Sequence, residues 1–168
     1  MPPLKPIARA AVPAALQKAE HYRLLNDSAA AESICLDVLE VEPDNQQALV
    51  TLLLAITDQL GDELGAGVTR ARAVLPRLRD EYRRHYYAGI ICERRGKAQL
   101  HHRTPRAAEV AAGWLREALH HYALAEAIRP PDNDEAILRW NTCARTLNRT
   151  GHAHQPSAQA EPYEPSLE

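Results

Sequence analysis

Long apolar runs are missing from this chain of 168 residues. The longest, Leu52 to Ile56, falls far short of the roughly 20 residues that a membrane-spanning helix needs. The start, MPPLKPIARAAVPAAL, has charges and prolines but no continuous apolar core of about 7–15 residues with a cleavage site behind it, so no secretory signal is expected. Cysteine is sparse: Cys35, Cys92 and Cys143 form an odd set at wide spacing, with no Cys-x-x-Cys pair. That pattern favours reduced, buried thiols in a cytosol. A glycine-rich phosphate loop is absent as well, because Gly61, Gly65 and Gly67 lack the Lys-Ser/Thr that would hold a nucleotide. The formal net charge is only -2, so the overall balance demands neither nucleic acid nor membrane as a partner. The expectation is one cytoplasmic domain without a membrane partner.

Charge of one sign is scarce overall but segregated along the chain. From Arg70 to Arg106 eleven Lys or Arg face three acids (Asp80, Glu81, Glu93), a local +8; the remainder holds nine basic against nineteen acidic residues, or -10. Alternating β-branched residues are also missing, while Ala and Leu recur at spacings of three and four, which predicts an all-α fold. Seven helices are expected, over about 13–25, 28–41, 45–60, 63–75, 77–102, 105–129 and 133–148. Pro13 and Pro105 suit first turns, and Asn26-Asp27-Ser28 and Thr104 suit turns and caps. Two nearly identical phrases, PDNQQAL from Pro43 and PDNDEAI from Pro131, read as helix punctuation. Proline stops one helix, and Asp44 with Gln47, or Asp132 with Glu135, forms a capping box for the next. Residues 1–12 and 149–168, rich in proline and small polar residues, are expected to be a flexible start and a disordered acidic tail around a helical domain at 13–148.

The helices also repeat. Ala31-x3-Cys35-x2-Val38-x4-Pro43, Leu64-x3-Val68-x2-Ala71-x4-Pro76 and Ala118-x3-Tyr122-x2-Ala125-x4-Pro130 share one pattern, and Ala19-x2-Tyr22-x3-Asn26 matches Gly89-x2-Cys92-x3-Gly96. These patterns resemble the tetratricopeptide repeat (TPR) over roughly residues 13–148. The stretches HYYAGIICERRGKAQL and ILRWNTCAR are similar to small bacterial TPR proteins of unassigned role. The resemblance implies an α-α superhelix of about three helix pairs plus a C-terminal capping helix. The middle pair departs from it with Leu53, Ile56 and Leu60, and the third carries about 17 extra residues, which an extended hairpin would absorb.

In that family the first helix of each pair lines a concave groove that holds a protein segment. Carried over, the implied lining is Arg83, Tyr86, Ile90, Arg94 and Lys97, flanked by Val50, Leu54 and Asp58 on one side and Ile137, Asn141 and Arg145 on the other. Tyr and Arg dominate interface energetics, and guanidinium groups suit carboxylates, so the partner expected is a protein or peptide with acidic residues. Self-association is compatible with the same pattern. The alternative is a nucleic-acid-binding module using the basic region 70–106, disfavoured because the acidic remainder repels phosphate and no DNA or RNA motif is present. Glu161, Glu164 and Glu168, tethered near a basic groove, suggest self-occupancy of the site.

Chemistry is not expected. His101-His102 and His120-His121 are adjacent pairs whose side chains diverge by about 100° on a helix, whereas two ligands from one helix need a spacing of three or four. His152 and His154 lie in the tail. No metal or cofactor is expected, and the three thiols read as buried packing residues rather than nucleophiles. Trp114 and Trp140 read as core or seam residues.

Overall fold

The computed structural model describes residues 2–61, 65–101 and 106–153, the last three as backbone only. Among them are seven α-helices and no strand: α1 (Val12–Leu24), α2 (Ser28–Val41), α3 (Gln46–Asp58), α4 (Ala66–Val74), α5 (Glu81–His101), α6 (Ala107–Ala127) and α7 (Glu135–Ala153). The expected count and order hold, and the boundaries move by a few residues.

Local chemistry explains the moves. Asn26 sits in the left-handed region at φ 62°, which asparagine tolerates, and Asp27 then caps α2 by accepting the Ala30 N–H at 3.1 Å. The twin PDN phrases punctuate helices as expected, but the cap is the asparagine. Asn45 Oδ1 accepts from Ala48 N at 2.9 Å and Asn133 Oδ1 from Glu135 N at 3.0 Å. The expected capping boxes are therefore corrected: Gln47 reaches Glu20 at 2.9 Å instead, and Asp132 takes φ 61° as a turn residue. Gly65, at φ 94°, delays the start of α4. Pro76 lies in a 3-10 turn, Leu75–Arg77, and α5 starts only after Asp80, whose carboxylate accepts the Arg83 N–H at 3.1 Å. The expected Thr104 cap and Pro105 lie outside the described residues.

Each helix packs on the next, and α3 also touches α1 and α5. The recurring positions are the seams. Ala31, Cys35, Val38, Val68, Ala71, Ala118, Tyr122 and Ala125 are all buried. The most extensive contact joins α5 and α6, each 21 residues and about 32 Å long. Two glycines on one face of α5 permit it. A Cβ at Gly89 would overlap the Tyr122 ring, and one at Gly96 would stand 3.0 Å from Leu115 Cγ and 3.2 Å from the Ala111 carbonyl oxygen.

Two expectations about the ends change. Ile7 packs against the core, Arg9–Ala11 forms a 3-10 turn, and the Arg9 guanidinium donates to the Val41 carbonyl at 3.2 Å, so the start is tied down before residue 12. At the other end α7 continues to Ala153 rather than stopping near 148. The acidic residues Glu161, Glu164 and Glu168 lie outside the described residues. No helix of the described residues is long and apolar enough to cross a membrane.

Candidate functional site

The alternate helices α1, α3, α5 and α7 are linked to one another by charge. Asp58 at the end of α3 accepts from Arg23 Nε of α1 at 2.9 Å and pairs with Arg94 Nη1 of α5 at 2.5 Å. Arg94 also donates to the Leu54 carbonyl at 2.9 Å and to Thr57 Oγ1 at 2.6 Å, so a residue chosen as a partner anchor is largely committed within the fold.

One helical step away lies Glu93, whose side chain is 1% exposed. Its carboxylate accepts from Tyr122 Oη at 2.6 Å, Lys97 Nζ at 2.5 Å and Arg139 Nη1 at 3.3 Å, joining α5, α6 and α7. Burial pushes the Glu93 carboxyl up, but the hydrogen bonds from Lys97 and Tyr122 and the charges of Lys97 and Arg139 outweigh it and hold it below its ordinary value. Burial and the neighbouring Glu93 charge push the Tyr122 phenol far up, so it stays a donor. Sequence reasoning missed Glu93 and Arg139. The available signal was the Glu93–Lys97 spacing of four, directly after the apolar run Ile90-Ile91-Cys92.

The expected lining residues separate into three groups. Arg83 and Tyr86 do come together. With Asp80, Tyr82, Tyr87, Pro130, Asn133 and Glu135 they border a cavity of about 290 Å³ beside the α6–α7 turn. The tyrosines support each other there: Tyr82 and Tyr86 stack at 5.8 Å between ring centroids, and Tyr86 meets Tyr87 edge-on at 5.2 Å. Arg145 is exposed and borders a second cavity, about 410 Å³, with Thr142, Asn148 and Arg149. Asn141 is half-buried on the same helix.

Lys97, Arg94 and Leu54 form the second group, partly exposed but engaged internally, Leu54 by packing against both main core clusters. Ile90 is a correction. It is 1% exposed and packs in the cluster with Cys92, Leu115 and Tyr122, so it faces the interior rather than a partner. Trp114 packs partly buried against the core, whereas Trp140 is exposed.

No family model, curated protein or solved structure matches this chain.

The three thiols are buried and free. Burial pushes Cys35 and Cys143 up to about 12 and Cys92 up to about 11, leaving each a protonated packing group near neutral pH. Four basic residues of the region 70–106 are answered by acids outside it. Arg70 pairs with Glu32, Arg72 with Glu117 at 2.6 Å, Arg79 with Asp44 at 3.7 Å, and Arg94 with Asp58. Arg77 and Arg84 donate to backbone carbonyls, at 2.8 Å in each case. Part of the charge that is segregated along the chain is thus paired in space.

Proposed function

We propose that this protein is a non-enzymatic, TPR-like interaction module that holds a segment of another protein on the face carried by its first helices. The cavity bordered by Arg83 and Tyr86 carries the reading. Three accessible or half-buried side chains, Arg83, Tyr86 and Tyr87, converge there on one helix, and such residues anchor interfaces at low entropic cost. Asp80 and Glu135 share that rim, so an acidic residue fits the first cavity poorly. The partner's carboxylates belong instead at the second cavity, beside Arg145 and Arg149. The favoured partner is therefore a segment with an apolar or aromatic anchor and separate acidic residues.

The experiment is a peptide-display selection followed by equilibrium titration of the best binder. Wild type should bind with an affinity that falls as salt rises. Arg83→Ala with Tyr86→Ala should cost about 2 kcal/mol or more, roughly thirtyfold. Equal binding by that double variant would overturn the assignment.

The internal pairing of the basic region argues against the nucleic-acid alternative, since guanidinium groups already neutralised by carboxylates release few phosphate counterions. Tight, steeply salt-dependent binding to an RNA or DNA oligonucleotide would reverse that preference.

A further inference from the structure

Away from the interaction face, the junction of α4, α5 and α6 gathers a soft, a hard and an intermediate metal ligand. Cys92 Sγ of α5, a carboxylate oxygen of Glu117 and a ring nitrogen of His121, both of α6, lie within 4.8 Å of one another. Glu117 and His121 are four residues apart, so both project from one face of α6, and Cys92 meets them across the closely packed α5–α6 seam. We propose that this trio is a binding site for a thiophilic divalent cation of the zinc class, held by the Cys92 thiolate, the Glu117 carboxylate and the His121 imidazole.

Two further observations support the site. His121 Nδ1 is buried without a hydrogen-bond partner, a cost the fold bears without a compensating contact in this structure. The place of a cation is already taken by a cation: Arg72 Nη2 donates to Glu117 at 2.6 Å and stands 3.8 Å from Cys92 Sγ. Its guanidinium also lies over the Trp114 ring, 5.4 Å from the centroid.

The geometry needs only a small contraction. Ligand atoms at about 2.0–2.3 Å from tetrahedral zinc stand roughly 3.3–3.8 Å apart. Cys92 is fixed in the core, but the Glu117 side chain is 43% exposed and that of His121 25%, so these two can close on it. Binding releases the Cys92 proton to solvent and swings Arg72 off Glu117, and water completes the fourth position. His85, with its ring centroid 6.4 Å from that of His121, stands beside the trio as a neighbouring imidazole.

The site was legible in one respect that the histidine pairs concealed. Adjacent histidines cannot both serve from one helix, but Glu117-x3-His121 has the spacing two ligands require.

Titration of the full chain, kept reduced, with Co2+ and then Zn2+ tests the proposal. One equivalent of Co2+ should produce a thiolate-to-cobalt charge-transfer absorption that Zn2+ abolishes, and Zn2+ should raise the melting temperature. Cys92→Ser should remove the absorption, and His121→Ala should weaken binding about tenfold or more. Arg72→Ala, which deletes the competing cation, should tighten it. If Cys92→Ser proves too unstable to fold, His121→Ala and Glu117→Gln decide the matter, since both positions are partly exposed. The absence of a thiolate band in wild type, or unchanged affinity in His121→Ala and Glu117→Gln, would overturn the site. Unchanged affinity in Arg72→Ala would overturn the shared position of guanidinium and metal.

Discussion

Between α1 and α4 the interior is aliphatic, closed by Val38, Leu49, Leu53 and Leu60, whereas the interior of α5–α7 is built round Tyr122, the buried Glu93 and two thiols. The first half coheres through non-directional burial, worth about 25 cal/mol per Å² and tolerant of small shifts. The second half adds a carboxylate that must keep three donors in place, because a buried charge that loses a partner keeps its desolvation cost. The difference teaches where fine positioning resides. The side chains offered to a partner, Arg83 and Tyr86, stand on the helix that the Glu93 network fixes against α6 and α7.

The largest test of the contrast compares one deletion from each interior. Leu53→Ala should lower stability by about 2–5 kcal/mol, set by the volume it leaves. Tyr122→Ala should fall at the upper end of the 3–5 kcal/mol range for aromatic truncation, since it also strips a donor from Glu93. Denaturant melts measure both. A smaller loss for Tyr122→Ala than for Leu53→Ala would show that the second interior is no more demanding than the first.

A middling effect concerns acid. Glu93 is held below its ordinary carboxylate value, so its contribution is fully present above that value and is lost as pH falls through the lower folded one. Glu93→Gln keeps the shape, removes the charge and turns an amide toward Lys97 and Arg139. It should cost about 1.5–3 kcal/mol at neutral pH, and the gap to wild type should close in acid. A gap that persists unchanged at low pH would mean that packing alone matters at this position.

How much of this was legible in the sequence depends on the range of the interaction. Helix number and order followed from periodicity and punctuation, and the small and aromatic positions of the repeated pattern fell on the seams because that pattern is itself a packing rule. Arg83 and Tyr86 share a cavity because they lie near each other on one helix. Ile90 failed because a helix with neighbours on several sides buries more than one face. Arg94 is engaged because Asp58, which meets it 36 positions earlier in the chain, declares no pairing in the sequence. Glu93 with Arg139, and Cys92 with His121, were unreadable for the same reason: each pair joins different helices across a seam whose register only the fold sets.

The smallest test uses glycine to probe that seam. Gly89 and Gly113 are both helical, and replacing either by alanine removes a propensity penalty of about 1 kcal/mol. At Gly113 nothing lies within 4 Å of the added methyl, so Gly113→Ala should stabilise by up to that amount. At Gly89 the methyl would overlap the Tyr122 ring, which is fully buried and tethered to Glu93, so it cannot swing aside without breaking that bond. Overpacking of this kind costs about 1–3 kcal/mol, which leaves Gly89→Ala neutral to some 2 kcal/mol destabilised after the propensity gain. Tyr122→Phe frees the ring from its tether, so the penalty of Gly89→Ala should shrink in that background. An undiminished penalty would place the resistance in the helix backbones, making the α5–α6 seam a matter of shape alone, as in the aliphatic half.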